Sequence, residues 1–316
     1  MLLIVVLLAG VTLQRAPARA QADAPLTNAE HIIILSDFNE VLYERNSRQR
    51  VPLASLTKLM TAIVAVRYAG MDLPVVVQAN DLVGEATMGL IEGDELVLGD
   101  LLYGLLIPSG NDAAMAIART VGWQEGDTDP NQSVNRFVQM MNATARELGL
   151  RDTHFMNPHG LDQDGHYSTP YDVALMLRTA LNYPAIRQPM TTLAIRVGGS
   201  YDLYSNNPLL KSREDYLGGK TGLTDGAGFC LASAARRDGR MVIAVVMRDD
   251  WNWYDNVGAL LDYGLQLAAE RGVPSYATPA LIGSQLDQPR PNQMLASPEP
   301  PPFVGPVLPH GNTAGR

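Results

Sequence analysis

Lysine is scarce in this chain of 316 residues: of the 24 basic residues only Lys58, Lys211 and Lys220 are lysines, which leaves 21 arginines. Guanidinium keeps its proton in proteins, so arginine can carry surface charge but cannot serve as a base. A lysine amine, by contrast, can be driven by burial and neighbouring charge to a pKa at which it accepts a proton from a nucleophile. Two of the three lysines fall in short signatures, Ser55-Leu56-Thr57-Lys58 and Lys220-Thr221-Gly222, and only Lys211 stands outside them.

Other shortages set limits. A single cysteine, Cys230, excludes an internal disulfide and a cysteine-based metal cluster, and its setting, Gly228-Phe229-Cys230-Leu231-Ala232, reads as a buried strand. Charged residues make up 18%, too few for a mostly disordered chain, while 46% hydrophobic content can fill the core of one large or two smaller domains. No basic run offsets the net charge of −9, so a general nucleic-acid binder is excluded. The apolar run over residues 2–11 is too short for a membrane helix, which needs about 20 residues. It precedes Ala18-Arg19-Ala20, which has the small-x-small form of a signal-peptidase site, although no Lys or Arg comes before the run. The expectation is a leader over 1–20 and export to the periplasm or the extracellular cell-wall space; a buried first helix is the alternative. There is no internal repeat.

Folded patterning starts near His31 and continues to about Arg271. Beyond Val273 the chain carries ten of its 21 prolines, so 273–316 is expected to be a disordered tail, too broken by polar residues and proline to supply an amphipathic anchor. Residues 31–35 and 40–44 read as a strand pair, followed by a helix that begins at Ser55, runs to about Tyr68 and ends at Gly70. Three helices fill the middle, over 112–121, 131–148 and 169–181. Residues 193–197, 216–223, 227–235 and 240–247 read as strands, and a last helix over 252–271 has apolar residues on the face that would cover them. The sheet is thus assembled from both ends of the chain with helices inserted between, an α+β fold.

Ser55 and Lys58 are three residues apart, so a helix starting at Ser55 lifts both from one face of its first turn, where unpaired N–H groups favour a developing oxyanion. An unprotonated amine one turn away can take the proton of a serine hydroxyl and make it a nucleophile. As a bare pattern Ser-x-x-Lys arises about once by chance in a chain of this length. Lys220-Thr221-Gly222 is rarer. It closes an expected strand after Gly218 and Gly219, where a ligand backbone can approach and pair with the edge, and its charge and hydroxyl suit a carboxylate. A third pattern, Ser-x-Asn, occurs at Ser109-Gly110-Asn111, Ser133-Val134-Asn135 and Ser205-Asn206-Asn207. Ser133 belongs to an amphipathic helix and Ser205 to a loop where local hydrogen bonding accounts for both residue types. Ser109 and Asn111 sit on a tight turn between two apolar segments and can present a hydroxyl and an amide to a cleft, so context favours them.

In this order the three elements resemble the serine penicillin-recognising enzymes. The text around Ser55, together with Pro108-Ser109-Gly110-Asn111-Asp112, Thr153-His154-Phe155-Met156-Asn157-Pro158-His159-Gly160-Leu161-Asp162 and Gly219-Lys220-Thr221-Gly222-Leu223-Thr224, is similar to the D-alanyl-D-alanine carboxypeptidases of the low-molecular-weight penicillin-binding proteins, peptidase family S11. The resemblance covers about residues 27–271 and implies a serine β-lactamase/D,D-peptidase-like fold over 27–272, with an antiparallel sheet flanked by helices and a helical subdomain inserted. It implies that Ser55 attacks the bond between the two terminal D-alanines of a peptidoglycan stem peptide, with Lys58 as base. Ser109 would relay a proton to the leaving amine with the help of Lys220. Asn111 would hold the substrate backbone, Lys220 and Thr221 the terminal carboxylate, and the backbone N–H groups of Ser55 and Leu223 the oxyanion. Leu223 stands where many members have histidine or an aromatic residue. The implied partners are stem peptides and β-lactams, the latter as covalent inhibitors, with no cofactor, no metal, no nucleic acid and no evident C-terminal membrane anchor.

His154, His159 and His166 lie within 13 residues, but no His-Glu-x-x-His pattern accompanies them, and the loop is expected to be structural. A class A β-lactamase would need a deacylating glutamate in Glu-x-x-Leu-Asn, which the chain lacks. Two other readings stay open: a D,D-endopeptidase that cuts cross-links with the same machinery, and a catalytically idle penicillin-binding wall protein.

Overall fold

Strand β1, His31–Ser36, is buried at every position, as happens when both faces of a sheet are covered. The structure, a computed structural model, describes residues 24–25, 27–250 and 252–275. The expected leader and all of the proline-rich tail beyond residue 275 lie outside the described residues.

After β1 come β2 (Val41–Arg45), a 3-10 turn (Ala54–Thr57), α1 (Lys58–Tyr68), β3 (Pro74–Val76), a second 3-10 turn (Ala79–Asp81), β4 (Glu95–Val97) and α2 (Leu98–Leu106). The middle of the chain holds α3 (Asn111–Gly122), α4 (Pro130–Glu147), α5 (Pro170–Leu181) and α6 (Pro184–Met190). Then follow β5 (Ala194–Val197), β6 (Tyr201–Tyr204), α7 (Leu209–Ser212), β7 (Tyr216–Thr224), β8 (Gly228–Arg237), β9 (Arg240–Asp249) and α8 (Trp253–Glu270). Five antiparallel strands form one sheet in the order β2-β1-β9-β8-β7, so the first strands of the chain pair with the last and β7 forms an edge.

Alternation along β1 divides the core. Ile33 and Leu35 face the helices α1 to α6, whereas Ile32 and Ile34 face α8 on the opposite side. Gly264 lets α8 come close: a Cβ there would stand 2.6 Å from Ile34 Cγ2. The apolar stripe anticipated on the last helix packs as expected, with Val257, Leu260, Leu261, Leu265 and Leu267 all buried. Val273, just past that helix, is also buried; its N–H donates to the Ala268 carbonyl and its own carbonyl accepts from Arg240 Nε.

Three expectations need correction. The strand over 193–197 exists as β5, but it pairs only with β6 in a separate hairpin, because Gly198 and Gly199 adopt positive φ and turn the chain back at once. Helix α2 has no counterpart in the sequence reading. Two glycines weaken its helical pattern, and Gly104 is there for space, since a Cβ would lie 2.0 Å from Met88 Sδ. The helix expected to start at Ser55 starts instead at Lys58, after the 3-10 turn.

The helical layer contains a buried ion pair. Arg119 of α3 donates from Nε and Nη2 to Asp81 at 2.9 and 2.7 Å, and from Nη2 to the Val76 carbonyl at 2.7 Å, tying α3 to the 3-10 turn and β3. Asp81 is 1% exposed, so Arg119→Met strands a desolvated carboxylate and should lower the unfolding free energy by about 3–5 kcal/mol. Denaturant midpoints of the variant and the parent measure this; a change of less than about 1 kcal/mol would show that the pair is solvated.

Candidate active site

Three backbone segments converge on two buried amines. Lys58 opens α1, Asn111 opens α3, and Lys220 lies in the middle of edge strand β7. Lys58 and Lys220 are 0% and 1% exposed, respectively, whereas Lys211 on α7 is exposed. The division of labour expected from lysine scarcity therefore appears as a difference in burial.

Ser55 occupies the 3-10 turn, where side chains at i and i+3 eclipse. This brings Ser55 and Lys58 into line more directly than an α-turn would, with Nζ 2.8 Å from Ser55 Oγ. The Lys58 amine also donates to Asn111 Oδ1 and to the His159 carbonyl, both at 2.7 Å. Asn111 is oriented by its amide Nδ2, which donates to the Gly84 carbonyl at 2.9 Å, so Oδ1 is left facing the lysine. Burial, and then the charge of Lys220, push the Lys58 amine well below the ordinary lysine range; Asp112 and Glu85 act in the opposite direction.

Lys220 donates to Ser109 Oγ at 2.9 Å and to the Thr221 carbonyl at 2.8 Å. Burial lowers its pKa to about 7. Ser109 is held at φ +70°, a conformation that costs a non-glycine residue energy and persists only where its surroundings impose it. Of the three Ser-x-Asn matches, only Ser109-Gly110-Asn111 reaches the two lysines. Ser133 donates to Asp127, and Asn207 accepts from the Leu209 N–H and donates to the Tyr216 hydroxyl, so neither pair meets the lysines. Asn206, passed over in the sequence, accepts from Thr221 Oγ1 at 3.0 Å and so borders the site.

Strand β7 passes directly beside the Ala54–Thr57 turn that carries Ser55. A Cβ on Gly222 would lie 3.1 Å from both the Ser55 nitrogen and Ala54 Cβ, so a larger residue would push the strand and the turn apart by a few tenths of an ångström. Leu223, next along, is 56% exposed and borders the cleft. Asp112 fastens the loop ahead of α2: its carboxylate accepts from the N–H groups of Met88, Gly89 and Leu90 and from the Thr87 hydroxyl. The sequence offered a faint sign of this, an acidic residue in the first turn of a helix.

The loop over 154–168 was expected to be structural, yet it furnishes the His159 carbonyl to Lys58. His159 Nδ1 accepts from the Leu161 N–H, His166 Nδ1 from the Met156 N–H, and His154 Nδ1 lies 2.7 Å from the Gly165 carbonyl. Burial holds the His159 and His166 rings down, to about 3 and about 4. Asp162 of the same loop accepts from Thr224 Oγ1 and the Gly226 N–H, both at 2.8 Å, and so ties the loop to the end of β7. Cys230 on β8 is fully buried, its thiol pushed up to about 12 by desolvation, as the sequence implied for a core thiol.

The comparisons with known proteins agree with this geometry. A D-alanyl-D-alanine carboxypeptidase family model, that of peptidase S11, matches residues 18–250. The chain is 34% identical over 225 residues to the D-alanyl-D-alanine carboxypeptidase DacF of Bacillus subtilis, covering 68% of this chain and 56% of that protein. It is 35% identical to DacD of Escherichia coli over 69% of this chain and 58% of the relative, so it spans a little over half the length of these relatives. Among solved structures, the Streptomyces K15 DD-transpeptidase superposes with a TM-score of 0.71 at 28% identity, over 78% of this chain and all of that one. A D-alanyl-D-alanine carboxypeptidase from Mycobacterium tuberculosis gives 0.72 at 28% identity, over 78% and 95% of the two chains. With the sheet order, the paired lysines and the serine that each one holds in place, these matches establish that the chain belongs to the D-alanyl-D-alanine carboxypeptidase family, peptidase S11.

Proposed function

We propose that this protein is a serine-type D-alanyl-D-alanine carboxypeptidase that removes the terminal D-alanine of peptidoglycan stem peptides through an acyl-enzyme on Ser55. The observation that carries this reading is the set of partners around Lys58. A neutral amine has two hydrogens and one lone pair. Asn111 Oδ1 and the His159 carbonyl can only accept, so they take both hydrogens and leave the lone pair facing Ser55 Oγ, the third neighbour. Burial and the charge of Lys220 favour this neutral form.

Acylation then follows in steps. Ser55 Oγ attacks the scissile carbonyl as its proton passes to Lys58, and the oxyanion meets the backbone N–H groups of Ser55 and Leu223. Ser109 passes its hydroxyl proton to the leaving D-alanine amine and takes one in turn from the Lys220 ammonium that donates to it. Lys220 and Thr221 hold the terminal carboxylate, Asn111 holds the substrate backbone, and edge strand β7 can pair with an extended peptide. Water attacks the ester and frees Ser55. β-Lactams would acylate the same serine. Peptidoglycan lies outside the cytoplasm, so this reading agrees with the leader expected over 1–20; among the described residues, no helix is long and apolar enough to cross a membrane.

Replacement of Ser55 with alanine should abolish both the mass adduct with a penicillin and the release of D-alanine from a stem pentapeptide, a loss of about a thousandfold or more in turnover. A cross-linked dimer assayed alongside separates exo- from endopeptidase cleavage. Release of D-alanine by Ser55→Ala at the parental rate would refute the assignment of the nucleophile, and a parent that forms the adduct but cleaves neither substrate would be an idle penicillin-binding protein.

The two lysines also set a pH profile. Lys58 acts only when neutral, so activity rises with pH as its lowered pKa is passed. Lys220 attracts a carboxylate only when charged, so kcat/KM, which reports the free enzyme, should fall as pH rises through about 7. Arginine keeps its charge, so Lys220→Arg should lose the alkaline limb even if its KM rises. An alkaline limb near the same pH in both proteins would rule out Lys220 as its source.

A further inference from the structure

We infer that His166, acting through Thr57, is a positioning residue that holds the nucleophile turn in its reactive conformation. The inference rests on the reading of Ser55 as nucleophile. It starts from the backbone: Ala54, the residue before Ser55, has φ +48°. A side chain rarely adopts that conformation without something to enforce it. Leu53, which caps the turn, makes no side-chain capping bond, and the side chain of Ala54 is only a methyl group. The restraint comes instead from its carbonyl, which accepts from Thr57 Oγ1 at 2.8 Å.

Thr57 is in turn oriented by His166, whose Nε2 stands 2.8 Å from Thr57 Oγ1. The tautomer follows from the partners. The Met156 N–H donates to His166 Nδ1 at 3.0 Å, so Nδ1 bears no hydrogen and Nε2 carries it in the neutral ring. His166 Nε2–H therefore donates to Thr57 Oγ1, whose one hydrogen goes on to the Ala54 carbonyl. Every donor in this chain has one acceptor, and all of it is buried, with Thr57 0% and His166 5% exposed. Burial also keeps the ring neutral, with its pKa lowered to about 4.

Gly160 in the same loop presses on the same carbonyl. It adopts φ +99°, and a Cβ there would stand 2.0 Å from the Ala54 oxygen and 2.9 Å from Thr57 Oγ1. The loop thus grips the turn on both sides of the nucleophile: through the Ala54 peptide before Ser55 and through the His159 carbonyl on Lys58 after it. Removing the hydroxyl at 57 frees the Ala54 peptide to relax, which swings Ser55 Oγ away from the lone pair. Misplacement by about 1 Å costs up to a hundredfold in rate with little change in binding.

The test compares Thr57→Val, which keeps the shape and loses the hydroxyl, with Thr57→Ser, which keeps the hydroxyl. It also compares His166→Gln, whose amide can still donate at the Nε2 position, with His166→Asn, whose shorter amide cannot reach. The readouts are the rate of acylation by a fluorescent penicillin, kcat and KM for a stem pentapeptide, the thermal midpoint, and amide exchange of the 53–60 segment. Thr57→Val and His166→Asn should acylate at least about tenfold more slowly, with KM within about twofold and faster exchange over 53–60, while Thr57→Ser and His166→Gln stay within about threefold of the parent. Equal rates for Val and Ser at position 57 overturn the inference, as does a loss of rate that simply follows the thermal midpoint in all four variants. If Thr57→Val fails to fold, the His166 pair decides: rescue by Gln but not Asn supports the inference, and equal rates overturn it. A parent protein that takes up no penicillin and cleaves no stem peptide would instead refute the proposed function. The exchange data then decide the inference alone, and unchanged exchange in His166→Asn overturns it.

Discussion

The site depends on the desolvation of two amines. An ammonium in water is stabilised by its hydration, and removing that hydration favours the neutral base. The fold achieves this for Lys58 and Lys220 by closing three segments that are far apart in the sequence over them: the turn before α1, the start of α3 and edge strand β7. Each amine is left with oxygen partners at hydrogen-bond distance and almost no contact with solvent. The surrounding packing can be seen as the means of holding that arrangement. Gly222 admits β7 against the Ala54–Thr57 turn, and Asp112 and Asn111 fasten the loop that closes the opposite side.

The amines also act on each other. The charge of Lys220 is the second cause of the low pKa of Lys58, after burial. A protonated Lys220 therefore does two things at once: it can meet a carboxylate, and it keeps Lys58 a base. Under the proposed function, an anionic substrate would neutralise part of that charge and so return some basicity to Lys58 as the serine proton is taken. Asp112 and Glu85 pull the Lys58 amine the same way, so its pKa is a balance in which burial dominates.

Which residues gather at the candidate site was more legible in the sequence than its scaffold. Lysine scarcity pointed to Lys58 and Lys220 because composition reports how a residue type is spent, whatever the fold. Ser109 and Asn111 could be separated from the two competing matches by local context, and the structure gives Ser133 and Asn207 partners away from the lysines. The strands of the main sheet were readable because burial on both faces leaves unbroken apolar runs, as in β1 and β9. Helix α2 was hidden by glycines whose reason is a distant neighbour, Met88. The 3-10 start of α1 was hidden by the φ of Ala54, and no property of alanine announces it. Nor could the sequence indicate that His166, 109 residues further on, bonds to Thr57.

Burial of the amines opposes the stability of the fold. In the unfolded chain a lysine titrates near 10.5, but in the folded one burial brings Lys220 to about 7 and holds Lys58 well below the ordinary range as well. Between those values the unfolded chain binds more protons than the native one, so stability from these two groups rises with pH across that window and is lost as pH falls toward 7. At neutral pH the protein is therefore on the unfavourable side of its own active site, and apolar packing elsewhere has to offset the cost. The sheet covered by helices on both faces supplies that packing, with the lysines set at the seam between the helical layer and the edge strand, away from the α8 side. Reactive amines at such a seam can be dry enough to act as a base and still open to a peptide along β7.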